Sequence, residues 1–471
     1  MQQNLSGLAR ASAFSALLVF SLGIGTAYGA EVQKLDLHSA VQLALQNNLA
    51  LESTRIDVSQ KKRKVDTAWN VFIPTVEASG TMTRMNEAMT AGGIVPVPAS
   101  AIAPGVFDYV TAYSASVPQW GISSSFSATL MLNVAVMEGM RNLKLDYQGG
   151  LIGYEMAKAK LERDVRKSYY SILLLTDNIT LMEETIAAAD RRTTLAQDNF
   201  KAGLVPELTV LQARVAAANL RPALAEMRNG LEYSLALFAM TLGLPRGSKL
   251  ELSEVETPDF VSLNGDELVS GAASQNLEVL SRRQTLITLE SGRKLAFYNT
   301  YTPSLILGWN MDPSFQGDPF KDSWFMEDGW KQRSGMFRAT LSFRFNGLLP
   351  FSKEALSLTD MDDSVKKLNI ALAQTVRGME TEIDSIILKL EKSRSSIDTL
   401  NLNVDLASRA YNLSEDAYKA GFRDLLDVQN AELELRKAKQ EVAKERFNYV
   451  TGLLDLEYAV GVPFGTISGS K

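Results

Sequence analysis

Cysteine is absent from the 471 residues and histidine occurs once, at His38. The first absence excludes a disulfide framework, thiol catalysis, Cys-ligated metals and a lipid-modified N-terminal cysteine. The second leaves no His-rich metal site and no Ser/His pair beyond one that His38 itself would supply. Isolated near a helix start, His38 reads as an ordinary polar residue. Positive charge is not in excess either. A net charge of −6 and a pI of about 5.3 argue against a nucleic-acid binder. Gly149, Gly150 and Gly153 lack both G-x-G-x-x-G spacing and a preceding strand, so they read as a helix bend or close helix contact, not a phosphate loop. No nucleophile–base pair, metal cluster or cofactor motif is present, and no enzymatic activity or cofactor is expected. Past the N-terminus, no stretch reaches the ~18 apolar residues of a membrane helix. Any part of the chain that enters a membrane must do so as strands.

What is present begins with an export signal at 1–29. Arg10 supplies the positive end, Ala11 to Ile24 the short apolar region, and Ala27-Tyr28-Gly29 a small-x-small cleavage site. The run Gln60-Lys-Lys-Arg-Lys64 in an exported chain is a solvated helix face.

The strongest internal signal is a repeated turn. Tyr418-Lys-Ala-Gly-Phe-Arg-Asp-Leu-Leu-Asp-Val-Gln-Asn-Ala431 follows Phe200-Lys-Ala-Gly-Leu-Val-Pro-Glu-Leu-Thr-Val-Leu-Gln-Ala213 at a distance of 218 residues. The two copies stay in ungapped register to Gly243/Pro245 and Gly461/Pro463, with 11 identities over 46 positions. Such a register marks two equivalent halves, at 30–260 and 261–471. Each half reads as helix, strand pair, very long helix, tip turn and helix. In the first half the opening helix is Asp36 to Trp69, the strand pair about 74–132, the long helix about 134–200 and the last helix about 207–242, with a kink expected at Pro222. In the second they are Leu263 to Tyr301, about 303–346, about 353–417 and about 424–460. In the strand pairs, Val76, Ala78, Met82, Ile122, Phe126, Leu130, Leu305, Leu307, Trp309, Phe337, Leu341 and Phe343 alternate with mostly small polar residues. The connections at about 85–117 and 312–336 read as long surface loops. All five Trp (69, 120, 309, 324, 330) lie next to or between these strands, as in the aromatic girdles of a membrane barrel.

Four strands cannot close a barrel around a lumen. Left open in lipid, their edge groups would cost several kcal/mol each. Helices about 100 Å long with narrow apolar stripes also need neighbours along their length. Both arguments point to several protomers building one tube, with strands in the membrane and helices below it.

At this point the chain resembles the TolC-like outer-membrane efflux proteins, or outer membrane factors, over essentially its whole mature length. The resemblance implies an α+β membrane protein in the cell outer membrane. A homotrimer would form a β-barrel with four strands per protomer, continued by an α-helical barrel in the periplasm. It also implies a periplasmic adaptor (membrane fusion) protein docked on the tips and an inner-membrane transporter of RND, ABC or MFS type. The cargo would be drugs, small molecules or, in type I secretion, proteins. The alternative is a periplasmic coiled-coil adaptor, which would lack the amphipathic strands.

The family's tip pattern, Tyr-x-x-Gly-x-Arg-x-x-x-Asp-x-x-Asp, aligns with Tyr418, Gly421, Arg423, Asp427 and Asn430. The resemblance makes Tyr418 and Arg423 constraining residues that pair with the neighbouring helix pair. Asp427 becomes an acidic ring at the aperture, and Asn430 stands where a second Asp is expected. Thr209 replaces the acidic partner in the first tip, so a Tyr418–Thr209 hydrogen bond would take the place of an Arg–Asp bridge. Gly203-Leu204 and Gly421-Phe422 match the motif that receives adaptor hairpins. Three Asp427 carboxylates about 8 Å apart would repel by only ~0.5 kcal/mol per pair in water, a tolerable repulsion that attracts a cation.

Overall fold

The computed structural model describes residues 33–87, 89–98, 107–117, 119–255, 260–316 and 330–467. The expected signal at 1–29 lies outside the described residues, as does Trp324. In chain order the elements are β1 (Gln33–Leu35), α1 (Leu37–Asn47), α2 (Leu49–Asp66), β2 (Thr75–Arg84), β3 (Met89–Pro98), β4 (Phe107–Val117), β5 (Trp120–Asn133), α3 (Ala135–Lys201), α4 (Glu207–Thr241) and β6 (Leu250–Leu252). The second half follows with α5 (Gly265–Gln275), α6 (Leu277–Tyr301), β7 (Ser304–Met311), β8 (Ser314–Gln316), β9 (Trp330–Lys331), β10 (Met336–Ser342), α7 (Lys353–Lys419) and α8 (Leu425–Val460).

Two sequence features shape the helical body. First, the expected single helix at Asp36–Trp69 is two helices broken at Asn48, and Leu263–Tyr301 is two broken at Asn276. Asn competes with helix continuation because its side chain caps the next helix. Asn48 Oδ1 accepts from the Ala50 and Leu51 amides at 3.0 and 3.1 Å, and Asn276 Oδ1 from the Val279 amide at 3.0 Å. Each Asn Nδ2 then donates to the end of a long helix, Asn48 to Thr241 O at 2.9 Å and Asn276 to Ala459 O at 2.7 Å. Those long helices end on Gly243 and Gly461, at φ +72° and +83°. A Cβ at Gly243 would sit 2.3 Å from the Asn47 carbonyl oxygen, and one at Gly461 2.5 Å from that of Gln275. Glycine therefore lets each long helix press its end against the broken pair.

Second, α3 and α7 are each 67 residues, about 100 Å at 1.5 Å per residue. They are offset by the same 218 residues as the repeated turn. Pro222 does not interrupt α4, which stays helical from Glu207 to Thr241. The orphaned carbonyl belongs to exposed Ala218, where water can satisfy it. Gly149 and Gly150 mark close contacts: an added Cβ at Gly150 would lie 2.9 Å from Lys61 Cδ of α2, and one at Gly149 3.5 Å from Gln284 Cγ of α6. His38 is exposed in the first turn of α1, 2.7 Å from Gln42.

The buried core is split. One cluster joins α1, α3, α4 and the parallel pair β1–β6, with Val165, Tyr169, Phe238 and Leu242 fully enclosed. The Tyr169 hydroxyl lies 2.9 Å from Leu35 O and 2.7 Å from Ser253 O, tying α3 to the chain around both short strands. A second joins α5, α7 and α8 around Ile383, Leu390, Leu453 and Leu456. A third, smaller one lies where the two long hairpins meet at their tips.

The main sheet runs β2-β5-β7-β10, antiparallel throughout. β8 pairs with β5 in the same register as β7, so both are one strand interrupted at Asp312-Pro313. Pro313 has no N–H to give, yet its carbonyl still accepts from the Ser124 amide at 2.9 Å. β9 runs into β10 with a one-residue slip at Gln332 (φ 57°) and Gly335. A Cβ at Gly335 would lie 2.5 Å from Trp309 Nε1. The expected loop at 312–336 therefore holds strand extensions at its two ends. The expected loop at 85–117 is also corrected: β3 and β4 pair antiparallel, and the Met85 amide donates to Gln119 O at 2.7 Å, carrying the β2–β5 ladder into that hairpin. Ile94, Val95, Val97, Tyr109 and Val110 are good strand formers, but the interleaved Gly, Pro and Ala hide their alternation.

Register sorts the sheet into two faces. Glu77, Ser79 and Thr81 stand opposite Ser127, Ser125 and Ser123; Asn310 continues the Glu77–Ser127 row, and Arg338 and Thr340 lie on the same face opposite Gly308 and Ile306. The other face carries Val76, Met82, Phe126, Leu130, Leu307, Trp309, Phe337 and Leu341. Much of this apolar face is exposed in the single chain, including Val76, Phe337 and Leu341. Among the described residues, no helix is long and apolar enough to cross a membrane.

Candidate functional site: the paired helical tips

Both tips are built by the same backbone device. Lys-Ala-Gly ends α3 and α7, with Gly203 at φ +73° and Gly421 at φ +82°. The Leu204 amide donates to Asn199 O at 2.8 Å and the Phe422 amide to Ala417 O at 2.9 Å, closing each helix end. Lys201 and Lys419 sit in the last turns, and Glu207 and Asp427 in the first turns of the helices that return. These signs complement the helix dipoles. Leu204 and Phe422 are left 73% and 85% exposed at the extremities, with Leu208 and Leu426 exposed behind them. No Cβ clash surrounds Gly203 or Gly421; positive φ alone explains both.

Behind the symmetric backbone the two tips differ. Phe200 is half exposed, whereas its counterpart Tyr418 is only 9% exposed. Tyr418 packs with Ala196, Val210 and Ala213 of the first hairpin and Leu425 and Val428 of its own. Its hydroxyl is buried without a hydrogen-bond partner among the described residues. Within the chain the expected Tyr418–Thr209 bond is not formed, because the ring is drawn into the apolar contact between the hairpins. Burial pushes the Tyr418 phenol above its usual range, opposed by the nearby Arg192 charge. Thr209 is half-buried on α4, next to Val210. Arg423 lies 3.5 Å from Asp427 in the same chain, both largely exposed, so within one chain these two neutralise each other instead of reaching the first hairpin.

The polar link between the hairpins is elsewhere. Arg192, whose side chain is 6% exposed, reaches from α3 to the Glu432 carboxylate on α8. Its other nitrogen lies 3.4 Å from the Tyr411 hydroxyl on α7. Burial, with the Glu415 charge, raises the Tyr411 phenol; Arg192 pulls it back. A cavity of about 260 Å³ opens beside this pair, lined by Ala213, Leu220, Asn430 and Arg436 among others. Asn430 thus faces the groove between hairpins. Sequence reading missed Arg192–Glu432, although a signal existed: Met182, Thr185, Ala189, Arg192 and Ala196 follow the three-and-four spacing of a buried stripe, and Arg192 is its one charge.

The faces of the sheet, the long helices and the closed tips define an outer-membrane channel. Residues 40–242 match the family model described as outer membrane efflux protein. TolC of Salmonella enteritidis is 22% identical over 350 residues, covering 72% of this chain and 70% of that protein. TolC of Escherichia coli (strain K12) is 23% identical over 354 residues, again covering 72% and 70%. Among solved structures, the CmeC outer membrane channel of Campylobacter jejuni superposes with a TM-score of 0.70 at 15% identity, covering 90% of this chain and 85% of that one. Residues 40–242 are those of an outer membrane efflux protein, and the chain as a whole is similar to the TolC-like proteins of the outer membrane factor class, which places it in the outer membrane with its helices in the periplasm. The solved structures it resembles include outer membrane channels.

Proposed function

We propose that the chain is the exit duct of a tripartite efflux or type I secretion system. Three copies each give four strands to one barrel, and their helices form the periplasmic tube. The two halves act as structural repeats of one plan. A periplasmic adaptor docks on the exposed Leu204 and Phe422 tips and links the duct to an inner-membrane transporter of RND, ABC or MFS type. Drugs, small toxic molecules or secreted proteins are the cargo classes. The observation that carries this reading is the sheet: one face polar, the other apolar, with both edge strands, β2 and β10, lacking an outer partner among the described residues. In lipid such edges require neighbours. Light scattering in detergent and conductance in planar bilayers test it: trimers that conduct are expected, and a non-conducting monomer recovered from the soluble fraction would refute it.

In the trimer, the three Asp427 form the acidic ring at the aperture, with Asn430, Tyr418, Arg423 and Thr209 around it. Arg192–Glu432 holds the first hairpin against the second and so restrains opening. Because Asn430 supplies no second carboxylate, divalent cations should block weakly. Asn430→Asp should strengthen that block in single-channel recordings; unchanged block would place the aperture elsewhere.

A further inference from the structure

The edge strands carry charges that the channel reading does not use. β2 has one acid, Glu77, and β10 has Arg338, with Arg344 two residues past its end. None of the three has an ion-pair partner among the described residues. Register puts Glu77 and Arg338 on the polar face, and continued alternation puts Arg344 there too. Charges on edge strands commonly keep copies apart. That device works when both edges bear the same sign. On the polar face the edges bear opposite signs, since Arg84, the other charge of β2, lies on the opposite face over Trp120, so β2 meeting β2 sets acid against acid, and β10 meeting β10 sets base against base. Only β2 against β10 is complementary, and that is the pairing that closes a ring of identical copies.

We infer that Glu77 of one copy pairs across the lumen side of the subunit seam with an arginine of the next copy, Arg338 or Arg344, and that this pair sets the seam register. The inference rests on the oligomeric channel proposed above. It does not depend on knowing the register. Directly opposed residues of an antiparallel pair share a face, so Glu77 can stand only opposite 336, 338, 340, 342 or 344. In each case a guanidinium is directly opposite or one diagonal step away, within roughly 8 Å and reach of an arginine side chain. A slip of one residue would turn Glu77 toward the lipid, which the membrane penalises.

The natural absence of cysteine makes the test direct. Full-length Glu77→Cys is combined in turn with Met336→Cys, Arg338→Cys, Thr340→Cys, Ser342→Cys and Arg344→Cys, oxidised in membranes and run on denaturing gels. One pairing should give crosslinked dimers and trimers; none crosslinking from any of the five overturns the inference. As a second measurement, Glu77→Lys should lower the temperature at which the detergent-solubilised oligomer dissociates. The charge swap Glu77→Lys with Arg338→Glu and Arg344→Glu should restore it. A swap no more stable than Glu77→Lys alone also overturns the pairing. Light scattering separates the two levels: a monomeric wild type sinks the channel reading itself, whereas an oligomeric wild type without crosslinks sinks only the seam pair.

Discussion

Arg192 and Tyr418 sit in one interface and should respond oppositely to truncation. Arg192→Ala leaves the Glu432 carboxylate buried and uncompensated, a change that costs about 3–5 kcal/mol when a buried pair is broken one-sidedly. Faster amide exchange is expected around residues 185–200 and 425–436, with higher resting conductance; unchanged exchange there would mean that the pair restrains nothing. Replacing both partners by apolar residues of similar size should recover much of the loss. Tyr418→Phe removes a buried hydroxyl that has no partner among the described residues, so thermal stability should hold or rise by up to about 1 kcal/mol. A marked fall would show that the hydroxyl has a partner in the assembled protein. Tyr169 gives a pH effect. Burial pushes its phenol up to about 12, above the ordinary 10.0, so folding favours the neutral form. Its contribution is complete below pH 10 and is lost as pH rises through about 12. Wild type should lose stability over that window, and Tyr169→Phe should show a smaller loss.

At the scale of elements, the sharpest constraints are where helix ends meet helix breaks. Gly243→Ala and Gly461→Ala each combine a positive φ with a Cβ driven into a backbone carbonyl, so neither can be relieved by a side-chain rotation. Each should lower the thermal midpoint more than Gly203→Ala or Gly421→Ala, where φ is positive but space is open. Equal losses at all four positions would rule out the carbonyl contact as the cause. These elements also show what a single sequence displays. Long helices and the alternating β2, β5, β7 and β10 were legible because their periods repeat over many residues. The breaks at Asn48 and Asn276 were not, because a capping Asn keeps the apolar stripe running through it. β3–β4 was hidden by Gly and Pro. At the tips, the turn glycines and the exposed Leu204 and Phe422 could be read from the repeat. Arg192–Glu432 could not be paired from sequence, since its members lie 240 residues apart on different hairpins.

For the whole molecule, length is itself a coordinate. α3 and α7 are equal at 67 residues, and both tips close with the same glycine turn. Seven residues inserted into α3 alone would displace its tip by about 10 Å relative to the other. Arg192 would then face a different residue of α8, and one ring of apolar tips would become two staggered ones. The same seven residues inserted into both long helices, and matched in α4 and α8, would move the tips together. Single insertions should therefore abolish efflux in cells while the strands still insert, and matched insertions should spare assembly. The chain's evolution is thereby constrained like that of a two-legged stand: one leg cannot lengthen alone, so changes in height must arrive in pairs.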